Sequence, residues 1–292
     1  MTADPKILFR DELLVAIDKP AGLLSHGAAD VHSALIWLQQ KEAAEGRDPA
    51  RVHLVHRLDK ETTGVLLFAL GDDNAELVNA AFRERKVLKV YLALTSPVPG
   101  LRWQQADLQL KPRKIGGGEF MAVVPFEGLH ASAEVEVLGR GRRFGLVRVI
   151  PQQGRKHQVR ATLAALGAPI CGDFLYGGPI VKKLAPRTML HARSLEFQHP
   201  QTEEHLVIRA PLPADFRALI AEDGGTVPSD LDRRHRSTPQ TEDRAKKGPT
   251  QAMAARQADR QKAQAALVSV PRGVPGFRPG AKKPNPARKP KK

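Results

Sequence analysis

The sequence has a single cysteine, no long hydrophobic run and few aromatic residues. Cys171 alone cannot form an internal disulfide or a multi-cysteine zinc site, so we expect a small buried side chain there. Hydrophobic residues make up 41% of the chain, enough for a packed core, yet no segment reaches the roughly 18 apolar residues of a membrane span. The N-terminal MTADPKILFRDELL carries acidic residues where a signal peptide needs an apolar stretch. We therefore expect a cytoplasmic protein without a membrane anchor.

The positive charge is concentrated at the C-terminus. Of the net +15, residues 228–292 hold +12, from 17 basic and 5 acidic side chains, and the rest of the chain holds only +3. From residue 224 onward Pro, Gly, Lys, Arg and Gln dominate, which predicts a disordered basic tail, 224–292, after a globular domain, 1–223. Such a tail attracts polyanions, above all nucleic acid. It is either a solvated spacer or an added RNA contact, and its Ala-rich stretch 250–268 could become helical on a partner.

Residues 1–223 read as an α+β domain. Apolar patterns predict strands and helices at irregular intervals, which favours a sheet of mixed connections over a doubly wound fold. The predicted strands are 13–17, 65–70, 87–94 and 206–208, with a hairpin of 132–138 and 144–150. The predicted helices are 31–45, one capped by Asp72, 156–166 ended by Gly167, and 215–220.

Two segments could supply reactive side chains. HRLDKETTG (56–64) places Asp59 between Arg57 and Lys60, just before an apolar strand. These cations favour an ionised carboxylate, which can attack a carbon, abstract a proton or hold a cation. The bland alternative is an Asp that caps a turn and pairs with a local cation. In KVYLA (89–93), Tyr91 is either core filler or a ring that faces a cleft, where it could stack a base and transfer a proton.

A third segment, GRKHQVR (154–160), places Arg155, Lys156, His157 and Arg160 at the start of a helix. Helix N-termini and clustered cations bind anions, so the segment could hold a phosphate or the Asp59 carboxylate. A solvated basic helix start is the competing interpretation. A fourth segment, GDFLYGG (172–178), followed by LHAR (190–193), has glycines for close backbone approach but no chemical role that its residues alone reveal.

Together these segments resemble the RluA-type RNA pseudouridine synthases. HRLDKETTG, KVYLA, GRKHQVR and GDFLYGG are similar to that family's motifs in the same order, and DKPAGLLSH, LHARSLEFQHP and PLPADF agree as well. The resemblance covers roughly residues 7–220. Three positions depart mildly from the family pattern, with Thr63 for Ser, Lys156 for Thr and Val159 for Ile.

The resemblance implies an isomerase that converts uridine within RNA to pseudouridine. By the same resemblance, Asp59 is the catalytic aspartate, Tyr91 the active-site tyrosine and Arg160 the arginine paired with Asp59. The implied fold is a mixed, largely antiparallel sheet with flanking helices around a central cleft, with no metal and no organic cofactor. We expect Arg57, which could fill the space of a displaced base or hold a phosphate, to bind RNA, together with the cluster Arg155, Lys156 and His157.

Several questions stay open at the level of sequence. Asp59 could be a nucleophile at C1′ or a base at C2′. Some relatives carry a small N-terminal RNA-binding domain, for which no room is expected before Ile7, so the basic tail could take that role. We expect a monomer and favour ribosomal RNA over transfer RNA. The rival functions are a non-catalytic RNA-binding protein, which has no need of Asp59, Tyr91 and Arg160 together, and a nucleoside or glycoside hydrolase, for which no paired acid is evident.

Overall fold

The computed structural model describes residues 3–28, 31–115, 118–229 and 231. Within these residues, eleven strands form one sheet and five helices accompany it. The strands are β1 (Lys6–Arg10), β2 (Leu14–Lys19), β3 (Val52–Leu54), β4 (Thr63–Leu70), β5 (Leu88–Thr95), β6 (Trp103–Ile115), β7 (Gly118–Val124), β8 (Leu129–Arg140), β9 (Gly145–Pro151), β10 (Leu190–Gln198) and β11 (His205–Arg209). The helices are α1 (Ala34–Ala44), α2 (Asp72–Arg83), α3 (Gln158–Ala165), α4 (Phe174–Lys182) and α5 (Ala214–Glu222). The predicted tail, apart from its first few residues, and the stretch 250–268 lie outside the described residues.

The sheet is mixed and largely antiparallel, as predicted. Its strand order is β1-β2-β4-β10-β5-β9-β8-β6-β7, with β11 paired to β10 and β3 paired to β4. Among the described strands the pairing of β10 with β4 is parallel and the others are antiparallel. The sequence pattern therefore predicted the fold class correctly.

In one half of the sheet, hydrophobic side chains are buried on both faces. Successive residues of β2 and β4 point to opposite faces, and both faces are covered, so all eight residues of β4 are buried. One face packs against α2 and the other against α1. The α2 side includes Leu14, Ala16, Val65, Leu67 and Val78, and the α1 side includes Val15, Ile17, Leu38, Leu66 and Phe68.

In the other half of the sheet, a second core joins strands β5, β8 and β9 to helices α3 and α5. Its centre includes Val149, Leu163 and Phe216, all fully buried. Cys171 belongs to the same core, and burial raises the pKa of its thiol to about 12. The prediction of a small buried side chain at Cys171 is confirmed.

Several strands and one helix were not predicted from the sequence. The β6–β7 hairpin, the strands β1, β3 and β10, and the helix α4 have no counterpart among the predicted elements. Strand β6 contains Pro112, which argues against a strand, although its buried residues Ala106, Leu108 and Leu110 alternate with polar ones. Helix α4 contains two glycines and Pro179, with a kink at Gly178, and sequence rules assign such a segment to a loop.

Three predicted helix starts were wrong. Helix α1 begins at Ala34, after the Ser33 cap, rather than at residue 31. The residue that caps α2 is Gly71, with φ of 100°, and Asp72 is instead the first helical residue, where its charge faces the positive end of the helix dipole. Helix α3 begins at Gln158 rather than at residue 156, because His157 adopts the left-handed conformation with φ of 53°. That conformation turns the chain sharply before the helix.

The centre of the sheet brings the distant motifs together. Ala192 of β10 pairs with Gly64 of β4 on one side and with Tyr91 of β5 on the other. Gly64 has φ of 107°, and a Cβ at this position would lie 2.1 Å from the carbonyl oxygen of Ala192, so only glycine fits. This close approach places the loop before β4, which carries HRLDKETTG, beside the start of β5.

Candidate active site

Asp59 lies on a loop that is fixed on both sides of it. The Ser25 hydroxyl donates to the carbonyl oxygen of Leu58 at 2.8 Å and accepts from the Leu58 N–H at 2.9 Å. On the other side, the Lys19 ammonium donates to the carbonyl oxygen of Lys60 at 3.0 Å. The Thr62 N–H closes a turn on the Asp59 carbonyl oxygen at 3.0 Å. The backbone is therefore held, while the Asp59 side chain remains 27% exposed at the floor of a cleft.

Lys19 is fully buried, and it holds this loop through carbonyl oxygens. Besides Lys60, its ammonium donates to Leu23 at 2.7 Å and to Pro20 at 2.8 Å. Burial lowers its pKa to about 7, although the charges of Glu61 and Asp59 oppose that change. Sequence analysis overlooked Lys19 within DKPAG because its role depends on a contact 41 residues away.

Arg160 of α3 bridges two carboxylates. Its Nη1 donates to Asp59 Oδ2 at 3.1 Å, while Nε and Nη2 donate to Asp173 Oδ2 and Oδ1 at 2.7 and 2.9 Å. Burial lowers the pKa of Arg160, but the hydrogen bonds and charges of Asp173 and Asp59 outweigh it, so this pKa lies above its usual range. The guanidinium therefore stays charged next to Asp59.

Asp173 fixes the position of the Arg160 guanidinium through two hydrogen bonds. Its side chain is fully buried, and Oδ1 also accepts from the N–H groups of Leu175 and Tyr176 at the start of α4. The segment GDFLYGG, for which the sequence indicated no chemistry, therefore supplies the second carboxylate of the site. Its signal was an Asp before a helix start, which alone predicts only a cap.

His157 lies on the other side of Asp59. Its Nε2 is 3.8 Å from Asp59 Oδ1, and its Nδ1 is 3.1 Å from the hydroxyl of Tyr176. That hydroxyl accepts from the Met121 N–H at 2.9 Å, so its own proton can go to Nδ1, leaving the N–H of the neutral ring at Nε2, toward Asp59. Burial lowers the pKa of His157 and so favours this neutral form, although the charge of Asp59 opposes the change.

Tyr91 forms one wall of the cleft. It is half-buried on β5, between two hydrophobic clusters, and lines an inner hollow together with Asp59 and Arg160. Burial raises the pKa of its hydroxyl, and the negative charge of Asp59 raises it further. The ring therefore presents a neutral phenol beside a carboxylate.

The structure brings every predicted site residue to one cleft. The inner hollow is lined by Arg57, Asp59, Tyr91, Arg155, Lys156, His157 and Arg160, and by Lys89 and Gln153. An outer hollow shares five of these residues, Arg57, Asp59, Lys156, His157 and Arg160, and adds Ser25, His26 and Lys60.

The four predicted RNA contacts differ in their surroundings. Arg57 and Arg155 are exposed at the cleft, while Lys156 pairs with Glu119 of β7 at 2.9 Å, which partly offsets its charge. His157 lies against Asp59 rather than on the outer rim. Among the residues that the structure describes, the Asp59 carboxylate accepts a hydrogen bond from Arg160 and none from the N–H groups at the start of α3.

Across the described ranges, no three His, Cys, Asp or Glu side chains are grouped closely enough to hold a metal ion. None of the helices in the described part of the chain is long and apolar enough to cross a membrane.

The chain belongs to the RNA pseudouridylate synthase family, whose model matches residues 13–165. It is therefore a pseudouridine synthase, an isomerase that acts on RNA. It is 35% identical to a tRNA pseudouridine synthase C of Haemophilus ducreyi over 75% of this chain and 95% of that protein. It is also 31% identical to a ribosomal large subunit pseudouridine synthase C of Pasteurella multocida, over 74% of this chain and 67% of that protein.

A solved structure agrees with this family membership. The human RNA pseudouridylate synthase domain containing 4 protein superposes with a TM-score of 0.62 at 30% identity, covering 76% of this chain and 94% of that one. The resemblance to the RluA-type family, inferred from seven short motifs, is confirmed.

Proposed function

We propose that Asp59 is the catalytic carboxylate with which this enzyme isomerises uridine in RNA. The observation that carries the proposal is the placement of Asp59 within 3.1 Å of a buried arginine and in the same hollow as Tyr91. The reaction breaks the N1–C1′ bond and forms a C5–C1′ bond to the same ring. Asp59 acts either as a nucleophile at C1′ or as a base at C2′, and Arg160 supports its ionised form in both routes.

Tyr91 and the walls of the inner hollow serve the base while it turns. A flat, neutral phenol ring can stack on uracil, and its hydroxyl can take part in removing the C5 proton. The hollow must also exclude water, because a freed uracil would otherwise be lost.

Arg57 and Arg155 are proposed to receive the RNA around the target. The uridine must leave its stack to reach Asp59, and Arg57, exposed beside it, is placed to fill the vacated space or to hold a phosphate. Arg57→Ala should then lower RNA affinity, turnover or both. If both are unchanged, Arg57 has neither role. We assign the catalytic domain to residues 1–223 and expect a cytoplasmic monomer.

The substrate is proposed to be a structured RNA. The names of the relatives include both tRNA and ribosomal large subunit synthases, and several that this chain spans almost end to end are named tRNA pseudouridine synthase C. Transfer RNA is therefore the first substrate to test. The preference for ribosomal RNA inferred from the sequence stays a prediction.

The decisive experiment uses RNA labelled with tritium at C5 of uridine, from cells that lack this protein. Pseudouridine formation releases the label to water. Wild type should release it, Asp59→Asn should not, and Asp72→Asn, a change at an exposed Asp on α2, should behave as wild type. Separate tRNA and ribosomal RNA fractions identify the substrate.

Three results would contradict the proposal. Equal release by wild type and Asp59→Asn would remove the assigned role of Asp59. Tight RNA binding without release from any fraction would favour the non-catalytic binding protein. Free uracil among the products would favour a hydrolase.

A further inference from the structure

A second lysine, Lys89, is buried at the inner hollow. It lies on β5 two residues before Tyr91, so both side chains project from the same face of the strand. Lys89 is only 9% exposed, and it lines the hollow with Asp59 and Arg160. Its ammonium donates to the carbonyl oxygen of Gln153 at 3.1 Å.

The surroundings of Lys89 differ from those of Lys19. An ammonium has three N–H donors, and three carbonyl oxygens accept from Lys19. For Lys89, Gln153 supplies the one acceptor within hydrogen-bond distance among the described residues, and no described Asp or Glu carboxylate lies within 4.0 Å. A buried cation with spare donors is costly unless something else binds it. The hollow is where that partner would lie.

The reaction creates a negative charge in this hollow. When the N1–C1′ bond breaks, its electron pair stays with uracil and spreads over N1 and the two carbonyl oxygens. This holds whether Asp59 attacks C1′ or removes the C2′ proton. Arg160 is already bound to two carboxylates, and Arg57 and Arg155 are exposed at the cleft, so Lys89 is the buried cation available to the base.

We propose that the Lys89 ammonium donates a hydrogen bond to a carbonyl oxygen of uracil and stabilises the negative charge that develops as the N1–C1′ bond breaks. Lys89 keeps its proton throughout. When C5 bonds to C1′, it displaces Asp59 in the nucleophile route, or the C2′ proton returns to the sugar in the base route. The ring is then neutral with hydrogen still on C5, and a base removes that proton while N1 gains one, which completes pseudouridine. The inference rests on the proposed function and adds a catalytic residue to it.

The charged and titratable groups around Lys89 shape its pH dependence. Burial, together with the charge of Arg85, lowers its pKa to about 8. His56 faces Lys89 from the loop before β4, and burial lowers the pKa of His56 to about 3, so this ring is neutral at working pH. Tyr91 is neutral as well. The ammonium should therefore be lost as the pH rises past about 8 in the free enzyme.

The test compares kcat/KM for tritium release between pH 6.5 and 9 in wild type, Lys89→Met and Lys89→Arg. Lys86→Met is the matched control, since Lys86 is an exposed lysine three residues earlier. Wild-type kcat/KM should fall above about pH 8. Lys89→Met should lose about 10²- to 10³-fold at pH 7, as when a single oxyanion donor is removed, with RNA affinity kept and no alkaline fall. Lys89→Arg should recover part of the loss, also without the fall.

Several outcomes would overturn the inference. They are wild-type kcat/KM that does not fall up to pH 9, Lys89→Met within about threefold of wild type, or an alkaline fall that persists in Lys89→Met. The wild-type profile needs no variant, so a folding defect in Lys89→Met cannot hide the answer. If the proposed function is wrong, the result is different, because the wild-type protein then releases no tritium at any pH.

Discussion

Replacing Asp173 with Asn tests whether this buried carboxylate positions Arg160 for catalysis. The Asn side chain keeps one oxygen, which can still accept from Arg160 Nη2 and from the N–H groups that begin α4. Its amide group, however, would face Arg160 Nε, now 2.7 Å from Asp173 Oδ2, so two donors would meet. The guanidinium would have to move away from this amide, and its contact with Asp59 would move with it.

The expected magnitudes follow from these contacts. Loss of one hydrogen bond between charged groups costs about 1.5–3 kcal/mol of unfolding free energy. A displacement of about 1 Å in a group that orients the reacting carboxylate costs about 10²-fold in rate. We therefore expect Asp173→Asn to lower kcat for tritium release about 10²-fold with a small change in KM, and to lower the urea midpoint.

A matched variant separates positioning from stability. Asp223 is also a buried carboxylate, and it accepts from the N–H groups of Arg143 and Phe144 and from Arg143 Nε, outside the cleft. Asp223→Asn should reduce stability by a similar amount and leave kcat unchanged. If both variants lose kcat equally when compared at the same folded fraction, Asp173 has only a structural role and the reasoning fails.

Three further predictions concern the loop, the sheet centre and the tail. Lys19 has a pKa of about 7 in the folded protein, below its value in the unfolded chain, so the unfolded chain binds more protons above pH 7. Between pH 7 and 10, the unfolding free energy of wild type should therefore rise relative to that of Lys19→Met by up to about 1.4 kcal/mol per pH unit. Urea unfolding measures this difference, and parallel pH curves for the two proteins would contradict the prediction. Gly64→Ala should lower the unfolding free energy by more than about 3 kcal/mol, because the new Cβ would clash with Ala192. Gly167→Ala, whose Cβ would have no atom within 4 Å, should lower it by about 1 kcal/mol. Equal urea midpoints for the two variants would refute the clash. Deleting residues 228–292 should weaken RNA binding and flatten its salt dependence if the tail contacts RNA, and an unchanged slope in a filter-binding titration would indicate a spacer.

Local patterns predicted the elements that bury a regular face. Strand β4 was predicted from its continuous apolar run, and β5, α1 and α2 were predicted from apolar residues that repeat at the period of the element, with boundaries that differ by up to three residues. The β6–β7 hairpin was missed although Ala106, Leu108 and Leu110 alternate with polar residues, because Pro112 within β6 argues against a strand. Helix α4 depends on the Asp173 cap and tolerates a kink, so its own sequence resembles a loop.

The sequence predicted which segments form the site, but not the contacts between their side chains. Motifs placed Asp59, Tyr91 and Arg160 in one cleft because each lies in a short pattern that resembles the family. Lys19, Lys89 and Asp173 also lie in segments that resemble the family, but their roles come from contacts with residues distant in sequence, 13 positions away for Asp173 and 64 for Lys89. Burial of a charged side chain, which only the fold reveals, is what identifies them.

Arg160 distinguishes the two carboxylates that it binds. Asp173 is fully buried and accepts two hydrogen bonds from Arg160 and two from backbone N–H groups, so its oxygens are committed to the fold. Asp59, within the described residues, accepts one hydrogen bond, at 3.1 Å, and its other oxygen is 3.8 Å from His157. A carboxylate with fewer hydrogen bonds is the stronger nucleophile and base. The same guanidinium therefore leaves one oxygen of Asp59 open to the ribose, which is the division of roles that the proposed reaction needs.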